Sequence, residues 1–322
     1  MIDFGCQNTL QKLNNIIDEN QKVMLKNILG YLGLALIWLI SKLPMPVIKW
    51  LGSGIGTIGY YTVVSRRNVG LKNLSLCFPE MSETEKHEII KEHFKRLVTA
   101  VLEYGLVFYA NPKKLQENIK VKNAHYMLQY YKKQPIIMLC PHFVGLDLAA
   151  IRLSLDFVGY TMYSQQKNSL ITEKLSDARL RFMDDKGAKV FARRNGLRPI
   201  IKLMRETKLP FYYLPDQDFG ERDSVFVPFF AYPTCATVTA LPKLIQLTNA
   251  VVIPMLVHRV GNSYEVEFYQ PWENYPSGNV TDDVKCMNKC IEGMVLRAMP
   301  EYFWLHKRFK TQPNMPRGAI YK

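Results

Sequence analysis

Two of the six histidines are followed five residues later by an acid: His87 by Glu92, and His142 by Asp147. Imidazole beside carboxylate is the pairing that general-base chemistry needs. An ionised acid on one ring nitrogen fixes the tautomer and leaves the other nitrogen free to take a proton. Spacing alone decides little, and local structure separates the two pairs. Along one helix, at about 100° per residue, positions five apart point roughly 140° away from each other. His87 and Glu92 fall inside a regular charged helix, so they diverge and His87 reads as a solvated side chain. His142 instead follows the apolar run Ile136-Ile137-Met138-Leu139-Cys140 and Pro141, and Gly145 permits a tight turn before a helix that begins near Leu146. The histidine is thus expected at the C-terminal end of a strand, the edge where α/β sheets hold ligands. Asp147 is expected in the first helical turn, where the helix dipole favours its charge. The pair reads as His142 the general base and Asp147 its orienting partner. The alternative is a buried, hydrogen-bonded histidine beside a helix-capping aspartate. The dyad has no activated Ser or Cys of its own, so a substrate hydroxyl is the nucleophile it would serve.

The elements that must position this pair follow from hydrophobic period. Ser82 to Leu106 opens with a capping box, Ser82 then Glu85, and continues with helical periodicity. After Asn111-Pro112, short apolar runs alternate with amphipathic stretches. Strands are expected at Pro135–Cys140, Thr161–Tyr163, Lys189–Phe191, Pro210–Leu214, Ala250–Val257 and Tyr264–Tyr269. Helices are expected at Leu146–Leu155, Leu170–Lys186, Leu197–Thr207, Val238–Thr248 and Asp282–Met299. Such alternation implies an α/β fold with a mixed, largely parallel central sheet flanked by helices. No internal repeat or long linker divides the body, so residues 66–322 read as one catalytic domain.

The N-terminal part reads differently. Residues 1–22 form a polar extension, and 23–65 a hydrophobic segment expected to be membrane-associated through an anchoring helix. Its run from Asn27 to Ser41, NILGYLGLALIWLIS, carries no charge. At ~1.5 Å per residue it covers roughly 22 Å, and counting from Val23 roughly 28 Å, against a hydrocarbon core of ~30 Å. Both a spanning and a monotopic anchor therefore stay open. Trp38 and the flanking Lys26, Lys42 and Lys49 suit an interface. The stronger basic flank after the run puts the body on the cytoplasmic side. Gly54-Ile55-Gly56-Thr57-Ile58-Gly59 matches GxGxxG, but Pro44, Pro46 and Lys49 stand where a strand should precede it, so a small-residue packing helix is expected instead of a nucleotide loop.

Composition bounds the partners. In 322 residues, 48% are hydrophobic and 22% charged, which excludes a disordered chain and allows a core without disulfide staples. Forty-two Lys and Arg against 28 Asp and Glu give a formal net charge of +14. That excess suits a polyanion: an anionic membrane surface, a lipid phosphate or an acidic protein. Nucleic acid is not expected, because no helix-turn-helix, RNP pattern or zinc-finger spacing is present. The six cysteines form no CxxC pair and read as reduced thiols. Cys286 and Cys290 lie one helical turn apart, but no histidine pair completes a metal site.

PHFVGLD (141–147) resembles the His-x4-Asp/Glu signature of the glycerolipid and lysophospholipid acyltransferase superfamily. FARRNGLRPIIKLMRE (191–206), YYLPDQDFGERDSVFVPFFAYPTCATVTALPKL (212–244), VVIPMLVHR (251–259) and PEYFWLHKRFKTQP (300–313) follow in order. Together they resemble the bacterial lipid A biosynthesis acyltransferases that add secondary acyl chains, over nearly the whole chain. The resemblance implies transfer of an acyl chain from an acyl–acyl carrier protein to a hydroxyl of a phosphorylated glycolipid acceptor. A coenzyme A thioester is left open as donor. It implies no cofactor and no metal, and a place at the inner membrane with the catalytic domain on its cytoplasmic face. His142 and Asp147 would be catalytic, and Arg193, Arg194, Asp216 and Asp218 would bind substrate. Many members carry Glu where this chain has Asp147, which leaves acyl-chain identity open. Lys132, Lys133, Arg198, Lys202, Arg205, Lys307, Arg308 and Lys310 are candidate polyanion contacts. Two other readings stand beside this one: an enzyme acylating glycerol phosphate or its monoacyl ester, and a non-catalytic basic protein that binds membranes or polyanions.

Overall fold

A computed structural model describes residues 21, 24–163, 168–183, 187, 189–192 and 196–322. Helix α1 covers residues 24–40. It is followed by α2 (Met45–Thr62), α3 (Val64–Cys77), α4 (Glu83–Leu102), α5 (Tyr104–Tyr109) and α6 (Pro112–Asn118). The α/β body then runs β1 (Ile119–Lys122), α7 (His125–Tyr130), β2 (Ile136–Leu139), α8 (Leu146–Leu153), β3 (Tyr160–Tyr163), α9 (Ser169–Leu180) and β4 (Lys189–Ala192). It continues with α10 (Arg198–Thr207), β5 (Phe211–Tyr213), β6 (Ser224–Phe229), β7 (Tyr232–Val238), α11 (Ala240–Thr248), β8 (Val251–Val260), β9 (Ser263–Phe268) and α12 (Val280–Arg297).

Seven strands form one sheet in the order β1-β9-β8-β2-β5-β3-β4, and β6 and β7 form a separate hairpin. Every pairing in the large sheet is parallel except β8 with β9. The mixed, largely parallel α/β expectation therefore holds. β2 lies at the centre with all four residues buried, because helices cover both faces of such a sheet. Its Ile137 and Leu139 share one core with Phe211, Val252 and Ile253 of the flanking strands. The strand β1 and the β6–β7 hairpin were not foreseen. β1 alternates apolar and charged residues over only four positions directly after α6, and Pro228 and Pro233 interrupt the apolar run of the hairpin.

The expected capping box is formed: Ser82 Oγ accepts from the Glu85 N–H at 3.3 Å, and Glu85 Oε2 accepts from the Ser82 N–H at 3.0 Å. The GxGxxG match lies inside α2, which packs on α4. A Cβ on Gly56 would sit 2.4 Å from the Lys95 Cα and 2.7 Å from the Phe94 carbonyl oxygen, so only glycine allows this approach. Among the described residues no helix is long and apolar enough to cross a membrane. The described stretch 24–40 of α1 covers ~25 Å at ~1.5 Å per residue, and the chain leaves helix at 41–44. Among the described residues a spanning anchor is thus not supported. Helix α1 instead lies on the body, where the Asn168 amide donates to the Lys26 carbonyl at 2.8 Å.

Candidate functional site

His142 stands three residues beyond the end of β2, and its ring lines a cavity of about 920 Å³. Asp216 stands three residues beyond the end of β5. The two strands pair in parallel with Leu139 opposite Tyr213, so equal steps bring histidine and aspartate side by side. Asp216 Oδ1 lies 2.6 Å from the ring Nδ1, and Asp216 Oδ2 accepts from the His142 backbone N–H at 2.9 Å. Asp216 is buried. Burial by itself would raise its pKa, but the His142 ring, its backbone N–H and the Arg308 guanidinium outweigh that and hold the carboxyl below its usual range. An ionised acceptor at Nδ1 assigns the ring proton to that nitrogen and leaves Nε2 unprotonated.

A second strip fixes the histidine from behind. The Phe303 N–H donates to the His142 carbonyl, and the Val144 N–H donates to the Glu301 carbonyl, both at 2.9 Å. The Glu301 carboxylate is buried and accepts from Arg96 Nη1 at 2.5 Å and from the Arg259 backbone N–H at 3.0 Å. The PEYFW part of the last sequence block is therefore scaffold for the loop that carries His142. Gly145 is required here, since a Cβ would meet the Tyr264 ring and the Val257 side chain at 2.9 Å.

Asp147 occupies the first turn of α8, as expected, and it lines the same cavity as His142. Its carboxylate, however, is committed elsewhere. Oδ1 accepts from Arg179 Nε at 3.0 Å and Nη2 at 2.7 Å, and Oδ2 accepts from the Tyr104 hydroxyl at 2.5 Å. The acid on the His142 ring is Asp216, and the expectation that Asp147 orients the ring is corrected accordingly. The physical reason is the helix start: it carries Asp147 toward α5 and α9, while strand pairing delivers Asp216 to Nδ1. Burial opposes the Arg179 charge, but Asp147 outweighs it and raises the guanidinium pKa. Burial, then the Asp147 charge, push Tyr104 well above the usual phenol range, so it stays a donor.

The other substrate-binding expectations divide. Both Asp216 oxygens are taken up by His142, one at the ring Nδ1 and one at the backbone N–H. Asp218 is buried, and its carboxylate accepts from the Thr311 N–H and hydroxyl, each at 2.8 Å, and from the Gly220 N–H at 2.9 Å. It ties the loop after β5 to the C-terminal segment. Arg193 and Arg194 lie outside the described residues. Among the expected polyanion contacts, Arg308 is buried, donating to the Ala236 carbonyl at 2.9 Å and to Thr237 Oγ1 at 3.1 Å. Lys132, Lys133, Arg198, Lys202, Arg205 and Lys307 are exposed.

Sequence reasoning missed the partnership of Asp216 with His142. A signal was available, because Leu139-Cys140-Pro141-His142 and Tyr213-Leu214-Pro215-Asp216 share one layout of strand end, spacer, proline and polar residue. Arg179 and Tyr104 carried no comparable signal. Each sits within a helix whose pattern does not set it apart.

A family model described as bacterial lipid A biosynthesis acyltransferase matches residues 18–311. The chain is 32% identical over 298 residues to a lipid A biosynthesis acyltransferase of Haemophilus influenzae (strain Rd), covering 91% of this chain and 94% of the relative. It is 31% identical over 289 residues to the lipid A biosynthesis lauroyltransferase of Escherichia coli (strain K12), covering 89% and 92%. The palmitoleoyltransferase of the same organism is 29% identical over 288 residues, covering 88% and 92%.

Proposed function

This chain belongs to the bacterial lipid A biosynthesis acyltransferase family, and from that premise we propose that it transfers a fatty acyl chain from a carrier-protein thioester to a hydroxyl of a lipid A-type glycolipid. The observation that carries the proposed mechanism is the 2.6 Å contact between His142 Nδ1 and buried Asp216, beside a cavity of about 920 Å³. A cavity of that size is in the range of small-molecule and lipid sites.

His142 Nε2 takes the proton of the acceptor hydroxyl as its oxygen attacks the thioester carbonyl. The new C–O bond forms, the C–S bond breaks, and the proton on Nε2 passes to the leaving thiolate, so the histidine ends as it began. Asp216 holds the tautomer and steadies the imidazolium while it exists. Asp147 and Arg179 stand on the cavity wall as a second polar cluster. Asp147 holds the guanidinium in place, and Arg179 offers its charge to substrate oxygens. Met138, Leu153, Phe157, Met162 and Phe211 supply apolar wall for an acyl chain.

The protein works at an anionic membrane surface, the inner membrane's cytoplasmic face, as a monotopic enzyme. What supports this is the run of exposed apolar side chains on α1 and α2, among them Leu32, Leu36, Trp38, Trp50 and Ile58. Transfer of labelled acyl groups from a loaded carrier protein to a purified glycolipid acceptor tests the reading. His142→Ala is expected to lose about 10²–10⁴-fold in kcat with membrane binding intact. Unchanged turnover in that variant overturns the mechanism. Equal turnover on glycerol phosphate overturns the acceptor.

A further inference from the structure

The large cavity is rimmed in part by the starts of two neighbouring helices. Gly196 and Leu197, at the entry to α10, line it, and so does Ala240, the first residue of α11. These helices pack against each other. Their outer seam is a shallow groove of about 550 Å³, lined by Arg198, Ile201, Lys202, Arg205 and Glu206 from α10 and Leu247 from α11.

The lining has a definite chemistry. Arg198, Lys202 and Arg205 are spaced i, i+4, i+7, so they stack along one helix face over ~10 Å. All three are exposed. Lys202 meets Glu206 at 3.9 Å, with side chains 76% and 54% exposed, a pairing that holds little energy in water. Among the described residues, neither Arg198 nor Arg205 has an acidic partner within salt-bridge distance. The floor is apolar: Ile201 is half-buried, and Leu247 is 55% exposed. Lys243, one turn before Leu247, adds a further exposed cation on the same face of α11.

A line of cations along an apolar seam fits the acidic, amphipathic face of a protein helix, which supplies carboxylates along a line and an apolar side chain for the floor. A single lipid phosphate would need cations converging on one point. The exposed apolar helices that suit a bilayer are α1 and α2, and α2 packs on α4, not on α10 or α11.

We propose that the α10–α11 groove is the docking site for an acidic acyl-carrier protein, which feeds its thioester arm into the cavity past Leu197 and Ala240. The proposal rests on the acyl-transfer reading above and says which surface the donor uses. Binding of fluorescently labelled, lauroyl-loaded acyl carrier protein to the full-length protein is measured by anisotropy, alongside turnover of lauroyl-pantetheine, which has no protein to dock. The triple variant Arg198→Glu, Lys202→Glu, Arg205→Glu is expected to weaken carrier binding about tenfold to a hundredfold. Wild-type binding is expected to weaken with added salt. Lauroyl-pantetheine turnover by the triple variant is expected to stay within about twofold of wild type, because these side chains are outside the cavity lining. Leu247→Asp is expected to weaken carrier binding without reversing any cation. Wild-type carrier affinity in the triple variant overturns the proposal. So does a loss confined to anionic phosphatidylglycerol vesicles, which would assign the groove to lipid. A wild-type protein that binds the carrier through these residues but turns over neither thioester upholds the groove and refutes the acyl-transfer reading.

Discussion

Replacing Asp216 with Asn tests which carboxylate serves the base. Asp216 supplies two acceptors to one residue: Oδ2 to the His142 backbone N–H at 2.9 Å and Oδ1 to the ring Nδ1 at 2.6 Å. Asn is nearly the same shape but has one oxygen. The backbone N–H can only donate, so the amide oxygen is drawn to it, and the amide NH₂ then faces Nδ1. Nδ1 must accept, the ring proton moves to Nε2, and the nitrogen that should take the substrate proton is already occupied. A wrong tautomer of this kind, with the imidazolium also robbed of its counter-ion, costs a serine-protease triad about 10⁴ in kcat. For Asp216→Asn the expected loss is about 10²–10⁴ in kcat, or about 3–5 kcal/mol of transition-state stabilisation. The assay is single-turnover transfer from loaded carrier protein to glycolipid in mixed micelles, with KM followed separately. KM should change little, because Asp216 is buried and does not line the large cavity. A thermal melt close to wild type would show that the loss is chemical. If Asp216→Asn keeps kcat within about threefold, the tautomer reasoning is wrong. If Asp147→Asn alone abolishes kcat while Asp216→Asn does not, the orienting role returns to Asp147.

Three further outcomes follow from the same contacts. Arg179→Met leaves Asp147 with Tyr104 alone, and is expected to cost about 1–3 kcal/mol of stability by urea titration; adding Asp147→Asn should recover part of that, since the charge left unpaired is then gone. Gly56→Ala drives a methyl into α4 backbone and should cost about 1–3 kcal/mol, whereas Gly54→Ala, with nothing within 4 Å, should be neutral or up to about 1 kcal/mol stabilising in the same denaturation assay. His93 is buried with its pKa lowered to about 4, chiefly by burial, so as pH falls from about 6.5 to 4 the unfolded chain takes up a proton that the folded chain refuses. Stability should drop by about 3 kcal/mol across that window and level off below it. His93→Gln should flatten this share of the pH dependence in urea midpoints, and a slope that is unchanged in the variant would refute the assignment.

Local signals in the chain placed His142 and its surroundings. The apolar run 136–140, the proline, the glycine and the helical period beyond them put His142 at the end of a strand and Asp147 in a first helical turn, and both are there. Ser82 and Glu85 announced the start of α4, because a capping box closes over a single turn. The same kind of signal put the GxGxxG run in a packing helix, α2, where Gly56 meets α4 while Gly54 faces open space.

The identity of the partner on the imidazole was decided elsewhere. Asp216 lies 74 residues from His142 along the chain, and the two meet because β2 and β5 pair with Leu139 opposite Tyr213. Hydrophobic period reports which way a residue faces within its own element, but it carries no information on which strand becomes a neighbour or in what register. Those are set by how the whole sheet buries its faces. For the same reason sequence order made Asp147 the obvious partner, whereas the helix that begins at Leu146 turns its carboxylate to Arg179 and Tyr104, side chains from α9 and α5. The roles of Asp218 and Arg308, both sealed inside against the C-terminal segment and the hairpin, likewise exist only once distant parts of the chain have packed.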